Sequence, residues 1–270
     1  MVGAGTSAGA AFSGKSIAVR MAPDRKTPIP DTALLIITRA ANGIPPVFKS
    51  DSLWNYELGL RTSWLDRTLT ADLTAFYIEY KNPIIQQNAQ SRQAGIPTGY
   101  LDNVGAAESK GIEAQLQWFT PLDGLSVSLG AAFTSAHSTV PFTDQDGQLI
   151  EPGQQMPGVA PQQYRASLHY LRPLGEFMLG LTAGYNYIGQ GYSNFQHHIE
   201  INGYGTARLG LILSADAWSW RPKLAFNVDN VFDRVAATGG TLNRPLVPGP
   251  FFTYLLNAPR TYTLRLSVDF

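Results

Sequence analysis

The chain has 270 residues, no cysteine, and 20 basic residues against 20 acidic ones. That balance leaves no net field to draw nucleic acid or an acidic surface, and the missing thiols exclude disulfide frameworks, thiolate metal sites and cysteine nucleophiles. Charged residues are only 15% of the chain, below the roughly 25% of soluble domains, and no run of about 18 apolar residues could cross a bilayer as a helix.

Low charge at a mean hydropathy of −0.08 fits a β-barrel, in which apolar and polar positions alternate, and it also fits a secreted β-sandwich. The segment Met1 to Gly9 has neither a basic nor an apolar stretch, so it does not read as a signal peptide. For a barrel, such a start suggests a fragment or a mis-started frame.

Near the N-terminus, Gly9-Ala10-Ala11-Phe12-Ser13-Gly14-Lys15-Ser16 formally matches G-x-x-x-x-G-K-S. A phosphate-binding loop follows a buried strand and opens a helix. Here Ile17-Ala18-Val19-Arg20 favours β and Pro23 stops any helix, so the match reads as chance. Ser16–Met21 and Ala33–Thr38 are weak strand candidates.

Beyond residue 50 the period-two signal is sustained. Trp54, Tyr56, Leu58 and Leu60 alternate with Asn55, Glu57, Gly59 and Arg61. The pattern continues through Leu69 to Tyr77, where Phe76 and Ile78 break it, then Ile112 to Trp118 and Leu125 to Thr134. It resumes at Tyr164 to Tyr170, Phe177 to Tyr187, Ala207 to Leu213 and Leu224 to Val228. Tyr262, Leu264, Leu266, Val268 and Phe270 close the chain on one apolar face, opposite Thr263, Arg265, Ser267 and Asp269. Successive side chains of a strand point to opposite sides, so each segment has one apolar and one polar face. That gives about eleven strands, several near the ten residues a tilted strand needs to cross a bilayer.

Tight connections at 65–67, 121–124 and 173–175 and a hairpin closure at 214–220 alternate with long ones at 82–107, 138–162 and 233–259 and a shorter one at 190–199. Outer-membrane barrels keep this asymmetry, with short periplasmic turns and long outer loops. Trp64, Trp118, Phe119, Trp218, Trp220 and Phe270 fall beside short turns, and Trp54, Tyr56, Tyr77, Tyr80, Tyr185 and Tyr187 beside long loops. Two aromatic girdles are expected from this placement.

Several segments resemble TonB-dependent outer-membrane receptors, in family order. They are Trp54 to Arg61 with Phe76-Tyr77-Ile78-Glu79-Tyr80, then Asn103-Val104-Gly105 with Ser109-Lys110-Gly111-Ile112-Glu113. Asn227-Val228-Asp229-Asn230-Val231-Phe232-Asp233-Arg234 and Pro259 to Phe270 follow, while Phe12 to Lys15 and Asp31 to Ala40 match more loosely. The resemblance implies an all-β, antiparallel transmembrane β-barrel of about eleven strands, the C-terminal half of a 22-stranded plugged barrel. One partial barrel domain would cover 1–270, with 1–50 fitting most loosely and the plug absent. Eleven antiparallel strands would leave the first and last running the same way, so a partner for the last strand is expected from outside the chain.

The family implies a Gram-negative outer membrane and uptake of a scarce nutrient, most readily a ferric siderophore, with cobalamin or a sugar as alternatives. Implied partners are outer-membrane lipid, the barrel assembly machinery and a TonB complex reached through a plug. The face Tyr262, Leu264, Leu266, Val268 and Phe270 is the expected assembly signal. The expected ligand-facing loop residues are His197, His198, Phe251, Phe252 and Tyr254.

No enzyme, cofactor, resident metal site or nucleic-acid partner is expected. Adjacent histidines in a strand would point apart and could not both ligate one ion simply, so His197 and His198 read as a solvated loop-end pair. Glu113 and Asp229 fall on the polar face, with nothing to fix their separation. A passive porin-like channel and a soluble glycan-binding β-sandwich are the competing readings.

Overall fold

The computed structural model describes residues 8–12, 15–21, 49–90, 97–144, 147–243 and 251–269, with side chains described over 49–85, 102–144, 147–240 and 252–269. Every regular element in them is a strand. In chain order these are β1 (Ala8–Phe12), β2 (Lys15–Met21), β3 (Ser52–Trp64), β4 (Leu69–Lys81), β5 (Ile84–Gln90), β6 (Pro97–Asn103) and β7 (Ala106–Phe119). Next come β8 (Leu125–Ser138), β9 (Phe142–Thr143), β10 (Leu149–Ile150), β11 (Gln162–Leu174), β12 (Phe177–Ile188) and β13 (Gly191–Tyr192). The last are β14 (Glu200–Ile201), β15 (Tyr204–Ser214), β16 (Lys223–Asp229), β17 (Ala237–Asn243), β18 (Phe251–Leu256) and β19 (Thr261–Ser267).

Eleven of them form one sheet in the order β1-β2-β3-β4-β7-β8-β11-β12-β15-β16-β19. Each neighbouring pair is antiparallel, so the chain walks across the sheet without a crossover. The outer edges of β1 and β19 carry no partner strand among the described residues. The remaining eight strands pair as four two-stranded hairpins, β5-β6, β9-β10, β13-β14 and β17-β18, one in each long connection.

Register turns the sequence alternation into two continuous faces. One row runs Leu58↔Ala75↔Ile112↔Phe133, and another runs Ala183↔Leu209↔Val228↔Tyr262. The opposite face carries Gly59↔Thr74↔Glu113↔Ala132 and Gly184↔Arg208↔Asp229↔Thr261. Among the described residues, no second sheet covers either face. Among the described residues, only Ala136, Ile150, Ile199 and Ala215 are buried hydrophobics, while Leu58, Leu129, Leu209, Phe226 and Leu264 lie open on the apolar side. An apolar surface of this extent needs lipid, because water would penalise each exposed side chain by about 1.5–3 kcal/mol relative to burial. This arrangement removes the β-sandwich reading.

Several expectations need correction. The main sheet has eleven strands among the described residues, and one of them, β1, was not expected. The G-x-x-x-x-G-K-S match lies on the β1-β2 hairpin, where Ala8 faces Val19 and Phe12 faces Lys15, so no helix opens after it. Ala33–Thr38 and Phe270 lie outside the described residues. Regular pairing of the last strand ends at Ser267, although the Asp269 amide still donates to the Trp220 carbonyl at 3.1 Å.

The central strands are also longer than their sequence pattern. β7 and β8 each have 14 residues, beyond the roughly 9–11 needed to cross a bilayer. Their extra residues extend toward the long connections. Phe76 broke the alternation because it faces the polar side, where it lies over Gly111. A Cβ there would meet its Cζ at 2.6 Å.

Two aromatic bands do form. On the short-turn side, Phe177 and Trp218 lie 5.8 Å apart and Trp218 and Trp220 5.6 Å apart, with Trp218 Nε1 donating to Glu176 at 3.3 Å. On the long-loop side, Trp54 neighbours Tyr56, Tyr56 neighbours Tyr77, and Tyr164 bridges Phe133 and Tyr187. Tyr80 and Phe119 fall out of the bands because their register puts them on the polar face. Tyr80 donates its hydroxyl to Asp51 at 2.8 Å.

Candidate functional site

The long connections do not hang separately above the wall. They form a layer in which each touches the next. Between residues 82–105 and 139–161, the Thr139 amide donates to the Ala106 carbonyl, and Gly105 lies so close to Phe142 that a Cβ would stand 2.7 Å from its ring. Gly105 has φ +71°, which also favours glycine.

From 139–161 the contacts pass to 189–203. Phe142 meets Phe195 edge to face at 5.0 Å, Gln154 Nε2 donates to the Phe195 carbonyl at 2.9 Å, and Gln196 donates to the buried Asp144. The Gly158 amide donates to the Tyr192 carbonyl at 2.7 Å.

The next junction joins 189–203 to 230–260. Ser193 Oγ donates to the Gly240 carbonyl at 2.7 Å and accepts from the Gly240 amide at 3.0 Å. Beneath this reciprocal pair sits Ile199, 1% exposed. Gly240 is required by that closeness, since a Cβ would lie 2.7 Å from Ile199 Cγ2.

The segment Asn227 to Arg234 explains how the last loop is held. Asn230 is almost buried and has φ 50°, in the left-handed region that asparagine tolerates better than most residues. Its Oδ1 accepts from the Arg234 amide at 2.9 Å, and its Nδ2 donates to the carbonyls of Arg234 and Ala258 at 2.9 and 3.0 Å. Two of these bonds close the turn from Asn230 to Arg234, and the third ties the end of β16 to Ala258, just before β19. Asp233 extends the tie. It accepts from the Arg260 amide at 2.9 Å and faces the Arg260 guanidinium at 3.5 Å. That amide, then the guanidinium charge, holds the Asp233 carboxyl below its usual range.

The two histidines take different roles. His197 lies in a loop as expected, but half-buried and packed on its neighbours. It sits in a bend at φ 57°, stacked on Tyr192 at 3.8 Å with the rings 6° apart, and its Nε2 lies 3.1 Å from the Gln155 carbonyl. His198 is exposed. No group of three or more metal-ligating side chains occurs among the described residues.

Phe252 and Tyr254 stand exposed on one side of β18, and Phe251 begins that strand. Tyr254 lines a cleft of about 310 Å³ with Glu200, Tyr204 and Arg234, which the sequence gave no means of grouping. Tyr262, Leu264 and Leu266 lie exposed on the apolar face of β19 with Val268 exposed just beyond it, and among the described residues β19 pairs only with β16. Glu113 and Asp229 stand five strand spacings apart, about 24 Å, so they form no hydrolytic pair.

An antiparallel wall with a lipid-seeking face, two aromatic bands, short turns at one rim and layered loops at the other defines an outer-membrane β-barrel protein. Residues 22–231 match the family described as TonB dependent receptor-like, beta-barrel. The chain belongs to that family, whose members are outer-membrane transporters of Gram-negative bacteria rather than enzymes.

Solved structures show the same fold at low identity. The ferric yersiniabactin uptake receptor of Yersinia pestis is 22% identical with a TM-score of 0.70, over 96% of this chain and 35% of that one. The ferric preacinetobactin receptor of Acinetobacter baumannii is 19% identical with a TM-score of 0.67, over 96% and 35%. The pyoverdine receptor of Pseudomonas aeruginosa is 18% identical with a TM-score of 0.62, over 96% and 34%. The chain therefore spans about a third of the length of these receptors.

Proposed function

We propose that residues 1–270 form one partial wall domain of a receptor that takes up a ferric siderophore across the outer membrane. The loop layer would receive the ligand from outside, with Phe252 and Tyr254 on the β17-β18 hairpin as aromatic contacts and His198 as a polar one. The observation that carries this reading is the layer itself, four connections locked side by side along the rim of a family barrel. Two of these solved structures are receptors of ferric chelates, ferric yersiniabactin and ferric preacinetobactin, which supports iron over cobalamin or sugar.

Energy for uptake would come from a TonB complex acting through a plug supplied by another part of the receptor. Outer-membrane lipid would cover the apolar face. The barrel assembly machinery would read the edge face of Tyr262, Leu264, Leu266, Val268 and Phe270.

The test uses the complete receptor that carries this chain, displayed on iron-starved cells. Radiolabelled ferric chelates should bind saturably, and the double change Phe252→Ala and Tyr254→Ala should weaken binding about tenfold or more, as expected when two aromatic anchors are lost. Iron accumulation should stop when the proton-motive force is collapsed, while surface binding persists. Energy-independent passage of small solutes, without saturable chelate binding, would favour a passive channel instead.

A further inference from the structure

One row of the polar face departs from the alternation that the rows around it obey. Across β11, β12, β15 and β16, three rows are polar apart from their glycines: Arg165–Asn186–Thr206, Ser167–Gly184–Arg208–Asp229 and His169–Thr182–Gly210–Asn227. The next row toward the short turns is Leu171–Gly180–Ile212–Ala225. One step nearer the rim, Met178 lies on the same face beside the buried Ser214.

The apolar row is continuous. A Cβ on Gly180 would stand 3.5 Å from Ile212 Cβ and 3.6 Å from Leu171 Cδ1, so these side chains flank the buried glycine from either side. Leu171 is 56% exposed, and Ile212 and Ala225 are half-buried. Phe119, also exposed, stands on this face at the end of β7, two strand spacings or about 10 Å from β11. Among the described residues no second sheet covers the row.

Strand β15 carries the departure most plainly. Leu211-Ile212-Leu213 is apolar on both faces, the pattern of a strand that is covered on both. Lipid covers Leu211 and Leu213. Water against the other side would leave Leu171, Ile212 and Phe119 unburied. A solute arriving from the loop layer would meet the three polar rows first, so the apolar row is badly placed to receive it. Protein filling the lumen from the short-turn side is well placed, and barrels of the plugged, 22-stranded type hold such a filling.

Charge narrows the occupant further. Lys223 and Arg265 lie on the same face where the strip reaches β16 and β19. Neither side chain makes an ion pair or hydrogen bond with a described residue.

We propose that this strip is where the receptor's plug seats near the periplasmic mouth. An apolar segment of the plug packs over Leu171, Ile212 and Ala225, with an acidic residue beside it facing Lys223 and Arg265. The solved receptors are about three times as long as this chain, which leaves ample sequence for such a filling. The proposal rests on the receptor reading and adds the place at which the wall holds the plug.

Photo-crosslinking in the complete receptor, in its outer membrane, tests it. A protease site between plug and barrel lets the plug separate on a denaturing gel unless it is joined to the wall. Leu171→benzoylphenylalanine and Ile212→benzoylphenylalanine should each join the plug on illumination. Leu211→benzoylphenylalanine should give at least about tenfold less of that product, because neighbouring residues of a strand point to opposite faces.

Heat-modifiable gel mobility reports whether each variant is folded. Leu171 and Ile212 lie on different strands, so either position carries the test should the other misfold. Folded receptor that binds ferric chelate saturably yet gives no plug adduct from either position would overturn the proposal. So would plug adducts as frequent from Leu211 as from Ile212. Failure of the receptor reading itself is separate, since the unmodified receptor would then bind no ferric chelate saturably.

Discussion

The wall and the loop layer are made of similar residues but held by different forces. In the wall, order comes from backbone pairing, and the side chains only need the right polarity on the right face. Leu58, Ala75, Ile112 and Phe133 share a row because a period of two puts them there. In the layer, backbone pairing is short and order comes from individual side chains, among them Asn230, Ser193, Gln154 and His197. A wall built on pattern should tolerate any change that keeps polarity. A layer built on particular atoms should not.

The largest expected effect lies in the wall. Leu129→Arg or Leu211→Arg places a charge on the lipid face and should cost about 2–4 kcal/mol near the bilayer midplane. Ser128→Arg, one residue away on the opposite face, should cost less than about 1 kcal/mol. Urea unfolding in lipid vesicles measures both, and equal penalties would break the two-face description.

Next comes Asn230→Ala, which removes three hydrogen bonds and puts an alanine at positive φ. It leaves the Arg234 amide without its acceptor and the Arg234 and Ala258 carbonyls with Asn257 Nδ2 alone. A destabilisation of about 2–3 kcal/mol is expected, read as faster amide exchange over 230–260 with the strands unchanged. Asn230→Gly, which relieves the backbone cost alone, should recover only part of it.

Ser193→Ala should have a smaller effect, about 1 kcal/mol, and should loosen 189–203 and 230–260 together. Exchange rising in one segment alone would show that the two are not latched. Smallest is the pH response of the Asp233–Arg260 contact. Because the folded-state pKa of Asp233 is lowered, the contact contributes above the usual carboxylate pKa and is lost as pH falls through the lowered value. Limited proteolysis of the 230–260 loop should therefore stay flat from neutral pH down to the ordinary Asp range and rise only below it. Asp233→Asn should remove that acid-dependent step.

The same contrast explains what could be read from the residues in advance. Strand faces, the alternation of turns and loops and most of the aromatic bands were legible because period-two patterning and turn chemistry are local signals. Tyr80 and Phe119 were misplaced because an aromatic near a strand end says nothing about which face register assigns it. The strand character of Ala8–Phe12 was missed because an Ala- and Gly-rich segment carries no alternation to detect.

The layer was barely legible. The Ser193–Gly240 pair, the Phe142–Phe195 contact and the Tyr254–Glu200–Arg234 cleft join residues far apart in sequence, through geometry that no period encodes. The Asn227 to Arg234 segment was visible as a motif. Its work, closing β16 onto β19 through the Asn230 side chain, became clear only from the hydrogen bonds.

The central claim is that the sheet is a membrane wall with its apolar face in lipid. Because the chain has no cysteine, single cysteines can be placed one at a time from Gly180 to Asn186 along β12 and spin-labelled in lipid vesicles. The account predicts that oxygen accessibility peaks at Leu181, Ala183 and Tyr185 and that accessibility to a polar nickel reagent peaks at Thr182, Gly184 and Asn186. Accessibility without that alternation, or with its phase reversed, would contradict it.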